Sequence, residues 1–139
     1  MYLIDVPGCS DSTPDQLKRL ELFEEQIARA SKENKEIYIT GDMNINLLNA
    51  DDDSESTRKS IADKYQCILG EYGLDPLRMG ITRERFLADG KVEESELDHI
   101  LTNKSKSVID HGTVVFDQSD HKAIIAEIIY GVKNKKKAP

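Results

Sequence analysis

Cysteine is scarce: Cys9 and Cys67 are the only two in 139 residues, far apart and without Cys/His ligand spacing around them. That excludes a disulfide framework and makes both free thiols in a reducing compartment, nucleus or cytoplasm. No apolar run approaches membrane-spanning length, and Met1-Tyr2-Leu3-Ile4-Asp5 is too short and too acidic for a secretory signal. Positive charge is in deficit, with 19 Lys and Arg against 26 Asp and Glu for a net charge of −7. Such a balance argues against a protein that coats nucleic acid nonspecifically, because that binding is driven by phosphate neutralisation. It leaves room for an enzyme with a local positive surface. Acidic residues cluster at Asp51-Asp52-Asp53 and basic ones between Lys133 and Lys137. The basic stretch reads as a disordered, solvated tail over 132–139, with an address signal or a phosphate contact as the rarer alternative. Residues 1–131 then form one domain able to bury a real though modest core.

Met1 to Val6 reads as a buried strand closed by Pro7-Gly8. Thr13-Pro14-Asp15-Gln16 combines a capping threonine, proline at the first helical position and Gln three residues after the cap. Leu17, Leu20, Phe23, Ile27 and Ala30 follow at helical spacing, so a helix is expected to about Glu33. A second helix, from about Glu55 to Tyr72, carries Ile61, Tyr65, Ile68, Leu69 and Tyr72 on one face and ends at Gly73, with Pro76 preventing its return. Strand, helix, strand, helix favours parallel pairing. From Ile81 the texture changes to strands: Ile81 to Leu87 and Val92 to Thr102 joined across Asp89-Gly90, then Val108 to Phe116 and Ala123 to Tyr130. With no internal repeat, the fold class is α/β of the α+β sandwich type.

Chemistry concentrates on Ile37-Tyr38-Ile39-Thr40-Gly41-Asp42-Met43-Asn44, a short apolar strand ending in a glycine turn that delivers a carboxylate and an amide. The carboxyl end of a strand is where ligands sit in open α/β sheets, although Gly, Asp and Asn are also ordinary turn residues. Two later segments suit the same place, Leu97-Asp98-His99-Ile100 and Ser119-Asp120-His121. Alternation points Asp98 away from His99. His99 and His111 are assigned no role, and Asp98 as a structural carboxylate and 119–121 as a plain polar loop remain the blander alternatives.

Gly41-Asp42-Met43-Asn44, Thr82, Leu97-Asp98-His99-Ile100 and Ser119-Asp120-His121, in that order, resemble the motif set of the endonuclease/exonuclease/phosphatase superfamily. The chain as a whole is most similar to the C-terminal part of the endonuclease domain of LINE-type retrotransposon proteins. The resemblance implies a portion of a four-layer α/β/β/α sandwich, with a mixed sheet and two helices on its outer face. It implies an Mg²⁺-dependent phosphodiesterase, Mn²⁺ substituting, in which Asp42 orients or deprotonates the attacking water and Asn44 binds a phosphoryl oxygen. His121 would face the phosphate with Asp98 behind its ring, and Asp120 would sit at the metal. Ser119 and Thr82 would contact phosphate or support the site.

The same resemblance carries departures. The superfamily's N-terminal asparagine and glutamate, which supply its main metal site, have no counterpart, and the retroelement branch carries a tyrosine where this chain has Asp5. The expectation is therefore a truncated domain with weak metal affinity, little or no nuclease activity, and an uncovered inner sheet face open to self-association or a protein partner. DNA is the expected substrate if the site is active. The alternatives are a non-catalytic interaction module and a phosphatase acting on small phosphorylated molecules.

Overall fold

Helix α1 (Thr13–Ser31) and helix α2 (Ser56–Glu71) form where the apolar spacing placed them, in a computed structural model that describes residues 1–6, 13–48 and 56–129. Pro7-Gly8, Cys9, Asp51-Asp52-Asp53 and the basic tail 132–139 lie outside the described residues. Leu20, Phe23, Ile27 and Ala30 of α1 and Ile61, Tyr65, Ile68 and Leu69 of α2 are buried in one cluster. Each such side chain withdrawn from water contributes roughly 1.5–3 kcal/mol. Leu17 is exposed, one turn before the helix meets its packing partners. Gly73, at φ +64°, ends the second helix in the left-handed conformation that glycine adopts without steric cost. No helix among the described residues is long and apolar enough to cross a membrane.

The helices cover one face of a four-stranded mixed sheet of order β1-β2-β6-β3. Strand β1 (Tyr2–Val6) runs parallel to β2 (Ile37–Asp42), as the strand-helix-strand pattern predicts. Strand β6 (Asp98–Thr102) lies antiparallel to β2 and to β3 (Asp75–Leu77). Tyr2, Ile4, Ile37, Ile39 and Leu101 face the helices. Strand β3 departs from the sequence expectation, in which Pro76 serves only to stop a helix. It sits in the middle of a three-residue strand at the sheet margin, a place that tolerates a residue with no N–H.

The stretch Val92–Thr102 is not one strand. Strand β5 (Val92–Ser95) pairs with β4 (Arg83–Phe86) in a separate hairpin, and the chain breaks at Glu96-Leu97 before β6 begins in the main sheet. The turn at Asp89-Gly90 is the expected one, with Gly90 at φ +83° and the Lys91 N–H bonded to the Asp89 carboxylate. Strands β7 (Val108–Val114) and β8 (Ala123–Ile128) form a second separate antiparallel pair. Val108, Ile124 and Ala126 of that hairpin pack on Leu77, Met79 and Ile100. The inner sheet face is therefore not bare, as the sequence implied: β7 and β8 cover its β3–β6 end. At the β1 end, Leu3 remains 66 % exposed.

Candidate active site

The end of β2 is shaped by a glycine. Gly41 has φ +149°, a region closed to residues with a Cβ, and it keeps β2 paired with β6 through Asp42. That register sets Asp42 directly opposite Asp98, and directly opposed residues of an antiparallel pair project from the same face. Two half-buried carboxylates facing each other repel unless a cation or proton lies between them. Asn44 follows at φ +53°, a conformation that asparagine tolerates better than most residues. Its backbone N–H donates to Asp42 Oδ1 at 2.8 Å, which closes a tight turn and fixes the carboxylate.

Asp98 is held from behind by Thr82, which is 0 % exposed. The Thr82 hydroxyl accepts the backbone N–H of Leu97 at 2.9 Å and of Asp98 at 3.1 Å. The Thr82 carbonyl accepts the Lys122 N–H at 2.7 Å, so the same residue fastens the segment that carries His121. His121 reaches Asp98 with Nδ1 2.8 Å from Oδ2. An ionised carboxylate only accepts, so the Nδ1 proton points at Asp98 and Nε2 is left as the proton acceptor of the neutral ring. Asp42, Asp98 and His121 each offer a ligand atom within 4.8 Å of the others. The two carboxylate oxygens suit a hard divalent cation such as Mg²⁺ or Mn²⁺, which would relieve the Asp42–Asp98 repulsion.

The remaining predicted residues take other positions. Ser119 is exposed, and its hydroxyl accepts the His121 N–H at 3.1 Å, a local turn that shapes the histidine's backbone. Asp120 turns away to Arg83, whose Nε lies 3.1 Å from its Oδ2, and that hydrogen bond holds the Asp120 carboxyl below the usual carboxylate range. The carboxylate stands 4.0 Å from His121 Nε2, outside the Asp42–Asp98–His121 group. Thr82 is a buried clamp on Asp98 in this geometry.

His99 is buried, with a partner for each ring nitrogen. The Glu96 carbonyl can only accept, so Nε2–H donates to it at 3.0 Å and Nδ1 accepts from the Tyr65 hydroxyl at 2.7 Å. Burial lowers the His99 pKa and raises that of Tyr65. Two residues not singled out from the sequence complete the surroundings. Glu96 is buried, and its carboxylate accepts from Arg78 Nε at 2.8 Å and from the N–H groups of Met79 and Gly80. A glutamate inside an apolar and polar mixture such as Glu94-Ser95-Glu96-Leu97 carries no local sign that it will be enclosed.

No protein-family model matches the chain, and no curated protein matches it. Solved structures do. The endonuclease domain of TRAS1, a telomere-specific non-LTR retrotransposon, superposes with a TM-score of 0.63 at 21 % identity over 88 % of this chain and 54 % of that one. A 3'-5' exonuclease from Neisseria meningitidis gives a TM-score of 0.68 at 19 % identity, covering 92 % of this chain and 61 % of its own. A mannosyl-6-phosphatase from Bacteroides thetaiotaomicron gives 0.53 at 15 % identity, over 92 % and 51 %. This chain thus spans between half and three-fifths of the length of the proteins it superposes on. Its helices, mixed sheet and hairpins share the fold of these three proteins.

Proposed function

We propose that this chain hydrolyses phosphodiester bonds with the help of a divalent cation, natively Mg²⁺, and that its substrate is DNA. The observation that carries the reading is the 2.8 Å contact between His121 and Asp98, made on the same sheet face where Asp42 opposes Asp98. Asp98 keeps the His121 ring in the tautomer whose Nε2 accepts a proton or, once charged, donates to a phosphoryl oxygen. Asp42 orients the attacking water, and Asn44 hydrogen-bonds the phosphate. Asp42 and Asp98 would hold the cation, with His121 beside it, and the cation would supply positive charge against that growing on the phosphoryl and leaving oxygens. Two carboxylates are few protein donors for a divalent ion, so it would be held weakly and turnover by this chain alone would be low. The endonuclease domain and the exonuclease superpose better than the phosphatase, with TM-scores of 0.63 and 0.68 against 0.53, which favours nucleic acid over a small phosphomonoester.

The test is nicking of supercoiled plasmid in millimolar Mg²⁺ or Mn²⁺, beside hydrolysis of p-nitrophenyl phosphate. Slow, chelator-sensitive nicking is expected, reduced about 10²-fold or more by Asp42→Ala and by His121→Ala. Nicking unchanged in both variants overturns the assignment. Preference for the monoester turns it toward a phosphatase, and the absence of either reaction with any divalent ion leaves a non-catalytic fold.

A further inference from the structure

The loop that carries Asn44 is held in an uncommon conformation by a device outside the proposed machinery. A non-glycine residue at positive φ persists only where its surroundings over-determine it. Four hydrogen bonds tie residues 43–48 to the 96–97 break and to Arg78. Met43 N–H donates to the Leu97 carbonyl at 2.9 Å, and Leu47 N–H donates to the Glu96 carbonyl at 3.2 Å. Asn46 Oδ1 accepts the Glu96 N–H at 3.0 Å, and the Leu47 carbonyl accepts from Arg78 Nη2 at 3.1 Å. Of these four, two are made by the Glu96 main chain and one by the Arg78 side chain, so the loop is fastened to the stretch that the Arg78–Glu96 pair holds in place. Glu96 is 1 % exposed, and Arg78 reaches it from a side chain that is 57 % exposed.

Burying a carboxylate is expensive, and an apolar residue of similar volume often serves stability as well or better. Here the charge occupies the break between β5 and β6, where its two oxygens gather Arg78, Met79 N–H and Gly80 N–H while its backbone receives the Asn44 loop. Arg78 extends the arrangement with a fork that bonds the carboxylate and the Leu47 carbonyl together, a geometry that lysine does not reproduce. We infer that Arg78 and Glu96 are positioning residues of the candidate site, setting the loop that presents Asn44 in register with Asp98. Their side chains bond each other and backbone groups. The inference deepens the proposed hydrolytic role of Asn44 and rests on it for its catalytic part.

Two measurements on the full chain separate this from the parent reading. The first is native-state amide hydrogen exchange of wild type, Arg78→Ala and Arg78→Lys. Arg78→Ala leaves the buried Glu96 carboxylate without its counter-charge and lowers protection generally, and protection at Met43 and Leu47 falls about tenfold further than at Ile39 and Leu101. The second is turnover on plasmid. Arg78→Ala lowers kcat with KM and Mn²⁺ affinity unchanged, Arg78→Lys restores part of it, and adding Arg78→Ala to Asn44→Ala causes no further loss. Unchanged protection at 43 and 47, an equal fall throughout the sheet, or additive losses in the double variant would overturn the positioning role. A wild-type chain that hydrolyses nothing defeats the proposed function, yet the exchange experiment still decides whether Arg78 orders the loop.

Discussion

At the residue scale, the site depends on which atom of His121 carries the proton. Asp98→Asn replaces an obligate acceptor with an amide that can present its N–H to the ring, which disfavours the tautomer with a free Nε2. The expected result is a loss of about 10²–10⁴ in metal-dependent kcat with little change in melting temperature. A pH–rate profile that kept both its height and its shape in Asp98→Asn would sink the role assigned to the pair. Thr82 offers a contrasting test, because its hydroxyl meets two backbone N–H groups in a fully buried position. Thr82→Val keeps the shape and leaves both donors without an acceptor, each costing about 1–3 kcal/mol. Thr82→Ser keeps the acceptor, so urea unfolding should find it much closer to wild type than the valine variant. Equal midpoints for the two variants would show that the hydroxyl contributes nothing.

At the scale of elements, His99 joins α2 to β6 through Tyr65 and β6 to the preceding break through the Glu96 carbonyl. Its pKa is lowered chiefly by burial, so the folded chain resists a proton that the unfolded chain accepts. The contribution is complete above the ordinary histidine pKa of about 6.5 and is lost as pH falls below it. Urea midpoints for wild type should drop between pH 7.5 and pH 5.5 more steeply than for His99→Gln, and parallel slopes would refute the linkage. Elements were legible where one physical signal dominated. Leu20, Phe23, Ile27 and Ala30 spell a helix face without reference to anything distant, and Asp89-Gly90 spells a turn. Strand β3 was missed because three residues around a proline have no period. The break at Glu96 was missed because Met79 N–H and Gly80 N–H, which solvate that carboxylate, lie some sixteen positions away in sequence. The meeting of Asp98 with His121 came from the resemblance of the motifs; periodicity alone supplied only the direction in which Asp98 points.

For the whole molecule, the clearest consequence of the opposed carboxylates is a stability that depends on divalent ions. A cation bound only by the folded chain raises its stability by about 1.4 kcal/mol at ten times its dissociation constant. Thermal unfolding in rising Mn²⁺ should therefore shift upward, and the shift should vanish in Asp42→Asn, whose register opposite Asp98 is unchanged. An identical shift in that variant would place the ion elsewhere. The global charge of −7 acts in the same direction, since it favours cations near the surface and repels a polyanion until they are bound.

The two margins of the main sheet are chemically unequal. Strand β3 has Pro76 as the middle of its three residues and so lacks an amide hydrogen there, whereas no residue of β1 from Tyr2 to Val6 is a proline. A further strand laid alongside β3 would meet a gap in its ladder at once, while one laid alongside β1 would meet no proline. Lateral growth of this sheet thus has a preferred direction, outward past Leu3, and the imino acid at residue 76 is what closes the opposite side.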